Sequence, residues 1–330
     1  MKRRIPIAVV IPAYQVERWI ADVLRGIPDF VSTIIVVDDS SRDDTAKAVA
    51  HVDDPRVTLI RHEMNMGVGA AVLTGYTAAV ERSAQIVVKL DGDGQMDPRQ
   101  MERLVRPILR GEADYTKGNR FVHGRELRQM PFVRRVGNMA LSFLTKAASG
   151  YWDVFDPTNG YTAIHAAALA SLDRERIDRR WLFETSMLIE LYFIGAVVRD
   201  VYLPARYGNE VSALSPSRAL LRFPPRLLRA TFRRIWLRYF VTDFSAVALF
   251  TFSGWLRLLF GLVWGIWHYI EVLQTGVIAS TGTVMIAVLP LILGTQFVLQ
   301  AIVLDIANSP KIPLSRETPL EDPLLSEGPD

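Results

Sequence analysis

The sequence predicts an α/β fold with a mostly parallel sheet, followed by two transmembrane helices. Three apolar segments of the first 95 residues end in polar side chains and alternate with helical patterns, as parallel strands do: residues 7–14, 34–41 and 87–95. Further along, residues 244–270 carry one formal charge, Arg257, and residues 272–304 carry none. A membrane helix needs about 20 apolar residues. The chain is therefore expected to consist of an α/β domain and a C-terminal hairpin.

The elements of the first half follow in a regular order. The first strand ends at Tyr14 and a helix is predicted from about Glu17. The second strand ends at Asp38 and a helix is predicted from about Asp43. Because ligands of open α/β sheets bind outside the carboxyl ends of the strands, polar residues at these ends are candidates for one shared site.

The third strand ends in two carboxylates one residue apart. Alternate residues of an extended chain project to the same side, so Asp91, Asp93 and Gln95 can converge on one hard cation. Gly92 and Gly94 allow the backbone to turn tightly there. The competing interpretation is an acidic turn that caps the next helix. The second strand also ends in acids, Asp38 and Asp39, which favours a common site at the sheet edge.

Six motifs in a fixed order resemble those of family 2 glycosyltransferases of GT-A fold. Within that family, the resemblance is to the polyprenyl-phosphate sugar transferases related to dolichol-phosphate mannose synthase, and it covers about residues 5–215. The motifs are residues 10–14, residues 37–41 with Asp44 and Thr45, Asn65 with Gly67, residues 91–95, residues 118–120 and residues 156–161.

The resemblance implies an inverting glycosyltransferase. It would move a single hexose from a nucleotide sugar, of the UDP-glucose or GDP-mannose type, to polyprenyl phosphate at the cytoplasmic face of the membrane. The cofactor would be a divalent metal, Mg²⁺ or Mn²⁺. A homo-oligomer is compatible with the resemblance, although nothing in the sequence requires one.

The resemblance also implies roles for individual residues. The donor nucleoside would be bound by Pro12, Tyr14, Glu17 and Asp39. The metal would be held by Asp91 and Asp93, with Gln95 as helper, so that Asp93 serves catalysis and Asp91 also serves donor binding. Phosphates would be held by Arg120 and Arg134 in catalytic roles, and by Arg135, Arg206 and Ser212 as further binding residues. Asp156 is placed among the catalytic residues, where it would orient the acceptor or neighbouring arginines; Glu184 is a similar candidate.

The nature of the acceptor decides which side chains the reaction needs. A lipid monophosphate is already anionic near neutrality, with a second pKa near 6, so cations matter more than a general base. The alternative is a family 2 enzyme acting on a hydroxyl of a lipid-linked glycan or glycolipid, which requires a base. Asp156 and Glu184 are the candidates for that role. A binding protein that has lost catalysis is a third interpretation, against which the two intact aspartates argue.

Two departures from related patterns limit the comparison. Residues 210–214 lack the lysine of the G-x-S-K-L segment found in many relatives, which puts one phosphate contact in doubt. Residues 177–181 lack the glutamine of Q-x-x-R-W, so chain polymerisation is not expected.

Arginines before the first apolar segment predict an interfacial amphipathic helix and an orientation. The connection between the two apolar segments has no Lys or Arg, so the positive-inside rule places the catalytic domain in the cytoplasm. A solvated helix and a hairpin buried in a soluble core are the alternatives. Arg257 predicts either a snorkelling side chain or a helix re-entrant or broken near Ser253. The predicted organisation is a GT-A domain at 1–215, an amphipathic helix region at 216–240 with prolines at the helix start, a transmembrane hairpin at 241–307 and a disordered cytoplasmic tail at 308–330.

Composition excludes several other classes of function. The net charge is only +3, and the arginines concentrate next to the apolar segments, so nucleic acid is not an expected partner. The chain has no cysteine, which excludes disulfides and thiolate metal sites. Gly67 and Gly69 lack the third glycine of a dinucleotide fingerprint.

Overall fold

The computed structural model describes residues 5–119, 132–157, 159–180, 182–203 and 216–317; for residues 132–136, 138, 216–222 and 317 the description covers the backbone. The chain divides into two compact units. The first contains the residues up to Ala230 together with the segment from Pro310, and the second is Thr231–Ser309.

The first unit contains a seven-stranded sheet. Its strands are β1 (Ile7–Ala13), β2 (Thr33–Asp38), β3 (Val57–Arg61), β4 (Ile86–Lys89), β5 (Tyr115–Asn119), β6 (Thr162–His165) and β7 (Val198–Tyr202), in the order β3-β2-β1-β4-β6-β5-β7. Only β6 runs antiparallel to its neighbours. The carboxyl ends of the other six strands therefore lie at one edge, as the sequence predicts for a mostly parallel α/β fold.

Helices alternate with and follow these strands, and some of them cover the two faces of the sheet. They are α1 (Glu17–Arg25), α2 (Thr45–Ala50), α3 (Val68–Glu81), α4 (Met101–Leu109), α5 (Phe132–Ser149), α6 (Ala166–Ser171), α7 (Phe183–Phe193) and α8 (Pro216–Trp236). Short 3₁₀ turns lie at Pro98–Gln100, Arg174–Arg176 and Leu314–Glu317.

Strand β1 shows why the sheet has two cores. All seven of its residues are buried, because both faces of a parallel strand are covered by helices. Ile7 and Val9 belong to a cluster with α1 and α4, whereas Ala8 and Val10 belong to a cluster with α3 and α7. This period of two produces the continuous apolar run that identified the strand in the sequence.

Helix α8 differs from its prediction in one respect. It begins at Pro216, so Pro224 and Pro225 lie inside it and not at its start. Phe223 and Leu227 on either side of these prolines pack against Ile189 of α7 and Ala148 of α5. Burial of two large side chains offsets part of the cost of about 3 kcal/mol for a helical proline.

The segment after residue 308, for which the sequence predicts disorder, contains the 3₁₀ turn Leu314–Glu317. The carboxylate of Asp114, which is fully buried, accepts three backbone N–H groups. These are Val197 at 2.9 Å, Leu314 at 2.9 Å and Ser315 at 3.0 Å. The acidic, proline-rich composition gave no sign of this partner, because Asp114 lies 200 residues earlier in the chain.

Replacing Asp114 with Asn tests this attachment. The amide keeps the size of the side chain but exchanges one acceptor oxygen for a donor, which then faces a backbone N–H. We expect the free energy of unfolding to fall by about 2–4 kcal/mol, since a buried group is left without its partner. Guanidinium unfolding of the detergent-solubilised chain measures the change. Asp22→Asn, at a largely exposed side chain, is the matched control; equal stability of the two variants would contradict the attachment.

The second unit contains the two candidate membrane helices, α9 (Ala246–Thr275) and α10 (Thr281–Ala307). They pack closely through glycines: a side chain on Gly294 would lie 2.9 Å from the carbonyl oxygen of Gly254. Helix α9 continues without a break past Ser253. The Arg257 guanidinium donates to the Ser253 carbonyl at 2.9 Å and lies 4.7 Å from the centre of the Phe297 ring.

A buried ion pair joins the beginning and the end of this unit. The Arg234 guanidinium donates to both oxygens of Asp305, at 2.7 and 2.8 Å, and the Tyr239 hydroxyl donates to Asp305 at 2.6 Å. Tyr239 lies in the π-helical turn Leu237–Thr242 that follows α8. Two donors on separate segments therefore share one carboxylate at the end of α10.

Candidate functional site

A cavity of about 480 Å³ opens at the carboxyl edge of the sheet. Asp91 and Asp93, which follow β4, contribute carboxylates to it, and Pro12 and Tyr14 contribute from the end of β1. The opposite wall is largely apolar and comes from helices α5 and α8, with Leu141, Phe223 and Leu227. One cavity thus combines acidic groups with an apolar surface.

Lys89 anchors the acidic side of this cavity. Its side chain is almost fully buried, and its ammonium lies 2.8 Å from Asp91 Oδ1 and 3.1 Å from Glu184 Oε1. Burial by itself disfavours the charged form, but the attraction of Asp91 and Glu184 outweighs it and raises the pKa of Lys89. Lys89 is therefore a permanent cation that two carboxylates share.

Gly160 makes room for this ion pair. A side-chain carbon at this position would lie 2.4 Å from Lys89 Nζ and 2.6 Å from Asp91 Oδ2. Such distances are below van der Waals contact, so any other residue would displace the pair. The glycine of the segment 156–161 is thus explained by the charges that it faces.

The two motifs after β4 interlock across the sheet. The Asn159 amide donates to the Gly118 carbonyl at 2.8 Å, and the Gly118 N–H donates to the Tyr161 carbonyl at 2.8 Å. The buried Lys117 ammonium donates to the Asn159 carbonyl. These bonds attach the loop that carries Gly160 to β5, and so fix the position of Gly160 beside Lys89 and Asp91.

Buried charges surround this interlock. Burial lowers the pKa of Lys117 to about 8, against the attraction of Glu184 and Asp156. Burial likewise raises the pKa of Asp200 to about 6. Asp200 accepts the Phe155 N–H at 2.7 Å and the Asn119 amide at 3.0 Å. The proposed catalytic Asp156 is itself buried and does not line the cavity.

A smaller cavity of about 280 Å³ adjoins the first, and Pro12 and Tyr14 line both. Asp39 lies at its wall and is almost fully buried. The Asp39 carboxylate accepts the N–H groups of Met66 and Gly67, each at 2.8 Å, and lies 2.8 Å from His62 Nδ1. Asp39 therefore shapes the turn before α3 as well as the wall of the cavity.

Gly67 and Gly69 allow a second segment to cross this turn. Gly67 has a φ of 98°, which favours glycine, and a side chain on Gly69 would lie 2.3 Å from the carbonyl of Asp178. The Ala70 N–H donates to the Arg179 carbonyl at 3.1 Å. This crossing brings Arg180 to the wall of the smaller cavity.

Several predicted site residues are not brought to these cavities. Glu17 is exposed and accepts the Asp44 N–H at 3.1 Å. Gln95 is exposed as well, and its backbone N–H donates to Asp93 at 3.0 Å. Arg134 and Arg135 lie on α5, where the description covers the backbone. Arg120, Arg206 and Ser212 lie outside the described residues.

Three residues of the site did not appear among the predicted ones: Lys89, Lys117 and Arg180. Lys89 could have been found, since a lysine inside the apolar run 86–90 needs a buried anion as partner. Lys117 offers a similar signal in β5. Arg180 gives none, because arginines on loops are usually solvated.

The chemistry of the acidic wall fits a divalent metal. Asp91 and Asp93 line the cavity and offer hard oxygen donors, and Gly160, which has no side chain, leaves room for the Asp91 carboxylate. In the described part of the chain no three acidic or histidine side chains form a metal cluster. Mg²⁺ is commonly held by one or two carboxylates, with phosphates and water completing its shell, so two aspartates suffice for this type of site.

A family model matches the part of the chain that carries most of the motifs. The model described as glycosyl transferase family 2 matches residues 8–172, half of the chain. The chain belongs to glycosyltransferase family 2. The family and the α/β fold predicted from the sequence are thus confirmed, together with the two candidate membrane helices.

Three relatives with named activities are similar to this chain. A UDP-N-acetylglucosamine–dolichyl-phosphate N-acetylglucosaminyltransferase of Methanococcus voltae is 33% identical over 190 residues, covering 53% of this chain and 75% of the relative. An undecaprenyl-phosphate mannosyltransferase of Micrococcus luteus is 28% identical over 200 residues, covering 59% and 81%. A polyprenol monophosphomannose synthase of Mycolicibacterium smegmatis is 31% identical over 150 residues, covering 44% and 56%.

Solved structures show the same fold. Glucosyl-3-phosphoglycerate synthase of Mycobacterium tuberculosis, in a complex with Mn²⁺, UDP and phosphoglyceric acid, is similar with a TM-score of 0.52 and 21% identity. The match covers 69% of this chain and 78% of that structure. A complex of the same synthase with Mg²⁺ and UDP has a TM-score of 0.51. At these identities the likeness concerns the fold.

Lys117→Met tests the burial of the lysine through the pH dependence of stability. Because the pKa of Lys117 falls from 10.5 to about 8 on folding, the folded chain binds fewer protons between these values, and its stability rises with pH in that window. The variant lacks this rise. From pH 8 to 10 we expect wild type to gain about 2 kcal/mol relative to the variant in guanidinium unfolding. Parallel pH profiles of the two proteins would show that Lys117 is not buried.

Proposed function

We propose that this family 2 enzyme transfers a single sugar from a nucleotide sugar to polyprenyl phosphate. The reaction is metal-dependent and inverting, and it takes place at the cytoplasmic face of the membrane. One observation carries the proposal: the 480 Å³ cavity has an acidic side, with Asp91 and Asp93 next to the Lys89–Glu184 pair, and an apolar side from α5 and α8. A nucleoside diphosphate with its cation suits the first side, and a lipid suits the second.

The donor diphosphate is assigned to the acidic side. Asp91 and Asp93 would hold Mg²⁺ or Mn²⁺, with Gln95 as helper. When bound, such a cation supplies electrostatic stabilisation of the leaving diphosphate. Lys89 and Gly160 keep the Asp91 carboxylate in place. Metal-containing complexes of the structurally similar synthase support this assignment.

The nucleoside is assigned to the adjoining smaller cavity. Pro12 and Tyr14 line both cavities, so a donor can extend from one into the other. Asp39 supplies an acceptor at the wall, beside Asn65, and Glu17 remains a prediction from the resemblance. UDP-glucose and GDP-mannose represent the two donor types to be compared.

The acceptor is assigned as a lipid phosphate because neither candidate general base, Glu184 or Asp156, is placed to act as one. Glu184 is paired with the buried Lys89, and Asp156 is buried away from the cavity wall. Neither arrangement suits the abstraction of a hydroxyl proton, whereas a lipid phosphate needs no base. Two of the three relatives are named for a lipid-phosphate acceptor and the third for a polyprenol monophosphomannose product, which supports this choice over a hydroxyl. Asp156 is proposed to orient the acceptor region.

Arginines are proposed to receive the acceptor phosphate. Arg134 and Arg135 on α5 follow from the resemblance, as do Arg120, Arg206 and Ser212. A guanidinium matches the geometry of a phosphate through two parallel hydrogen bonds.

The candidate membrane helices are proposed to hold the enzyme where its lipid acceptor resides. Arginines precede α9, and the connection to α10 has no Lys or Arg. The positive-inside rule then favours a cytoplasmic α/β domain.

Asp93→Ala tests the metal assignment. We expect transfer of label from the nucleotide sugar to fall at least 100-fold, because the leaving diphosphate loses its cation. Chelator should have the same effect on the wild type, and Mn²⁺ or Mg²⁺ should restore it. Asp22→Ala, at a largely exposed side chain, should leave transfer unchanged. Full transfer by a folded Asp93→Ala protein would contradict the assignment of Asp93 as a metal ligand.

A pair of acceptors tests the choice between phosphate and hydroxyl. Polyprenyl phosphate and the corresponding polyprenol differ only in the phosphate, and are offered with each donor in the same detergent. We expect product from the phosphate alone. Product from the polyprenol, or from neither lipid but from a glycolipid, would favour the hydroxyl-acceptor enzyme.

A further inference from the structure

The cavity holds one carboxylate that no step of the transfer uses. Glu184 lies in the first turn of α7 and lines the cavity together with Asp91. Its side chain is 17% exposed, and its Oε1 accepts a hydrogen bond from Lys89 at 3.1 Å. Lys89 lies between Glu184 and Asp91, and is the only cation within salt-bridge distance of either carboxylate among the described residues.

We propose that Glu184 is a positioning residue for the metal site. By sharing the charge of Lys89, Glu184 leaves the Asp91 carboxylate with enough negative charge to bind a divalent cation. This inference rests on the proposed function, since it assumes that Asp91 is a metal ligand.

The electrostatic argument starts from Asp91. An ammonium 2.8 Å from a carboxylate oxygen reduces the attraction of that carboxylate for any other cation. A second carboxylate on the far side of the ammonium compensates its charge. Because the ammonium is almost fully buried and both carboxylates are largely buried, water screens these interactions less than it would at the surface.

The geometry keeps one oxygen of Asp91 for the cation. Lys89 contacts Oδ1, whereas Oδ2 lies beside Gly160, where a side-chain carbon would come within 2.6 Å of it. The ion pair therefore holds the carboxylate of Asp91, a residue that lines the cavity, in one orientation, and it leaves the second oxygen without a contact to Lys89. Glu184 acts on this oxygen through Lys89 and does not need to touch the metal.

A charge-balanced pair of variants separates this role from others. Glu184→Gln removes the compensating charge but keeps the size of the side chain. The double variant Lys89→Met with Glu184→Gln removes one positive and one negative charge, so the sum of the two positions is zero, as in wild type. Glu175→Gln, on the 3₁₀ turn Arg174–Arg176, is the control for an unrelated glutamate.

Mn²⁺ binding by the full-length protein in detergent, with saturating UDP or GDP, is measured by calorimetry. Glu184→Gln should raise the Mn²⁺ dissociation constant about tenfold, since Asp91 alone then compensates Lys89. The double variant should return to within about threefold of wild type, and Glu175→Gln should equal wild type. At saturating Mn²⁺, Glu184→Gln should keep a kcat within about threefold of wild type.

Three results would overturn the inference. The first is unchanged Mn²⁺ affinity in folded Glu184→Gln, and the second is a double variant as weak as the single one. The third is loss of kcat in Glu184→Gln at saturating Mn²⁺ with normal affinity, which would identify Glu184 as a general base. Failure of wild type to bind Mn²⁺ would instead refute the metal assignment at Asp91 and Asp93, and this inference with it. Thermal unfolding of each variant distinguishes a misfolded protein from a weak site.

Discussion

The candidate site depends on a buried ammonium. Lys89 is placed by β4 at the carboxyl edge of the sheet, where burial alone would favour its neutral form. Asp91 and Glu184 keep it charged, and in return it fixes both carboxylates. Loss of Lys89 would leave two carboxylates without their cation, whereas loss of one carboxylate leaves the ammonium with the other. The position of Asp91, and with it the proposed place of the donor diphosphate, follows from this pair.

The remaining motifs serve the same arrangement. Gly160 has no side chain because Lys89 and Asp91 occupy that space, and the bonds between Asn159 and Gly118 hold its loop over them. At the smaller cavity, Gly67 and Gly69 have a similar role, because their lack of side chains lets the backbone at Arg179 cross the turn beside Asp39. The glycines of motifs far apart in sequence are thus explained by a few close contacts at one edge of the sheet.

The sequence was sufficient for the fold and for the acidic centre of the site. Strands β1, β2 and β4 are buried on both faces and therefore read as apolar runs, and their ends mark the sheet edge. Asp91 and Asp93 could be paired because strand geometry puts alternate residues on one side. The two candidate membrane helices followed from length and composition.

Contacts between distant segments could not be predicted in the same way. Nothing near Asp114 in sequence indicates that it binds Leu314 and Ser315, and the acidic tail therefore suggested disorder throughout. Nor does composition reveal that Asp305 ends α10 in a pair with Arg234. Glu17 and Gln95 are both exposed. The direction of each side chain depends on the local backbone at the start of α1 and in the turn after β4, and the motif pattern does not determine it.

The anomeric configuration of the lipid product tests the central claim most directly. Nucleotide sugars with an α-linked sugar, such as UDP-glucose and GDP-mannose, would be incubated with the enzyme and polyprenyl phosphate, and the product examined by NMR and mass spectrometry. Direct displacement by the lipid phosphate predicts a β-linked sugar joined to a single phosphate. An α-linked product, or a sugar attached to a hydroxyl, would contradict the account.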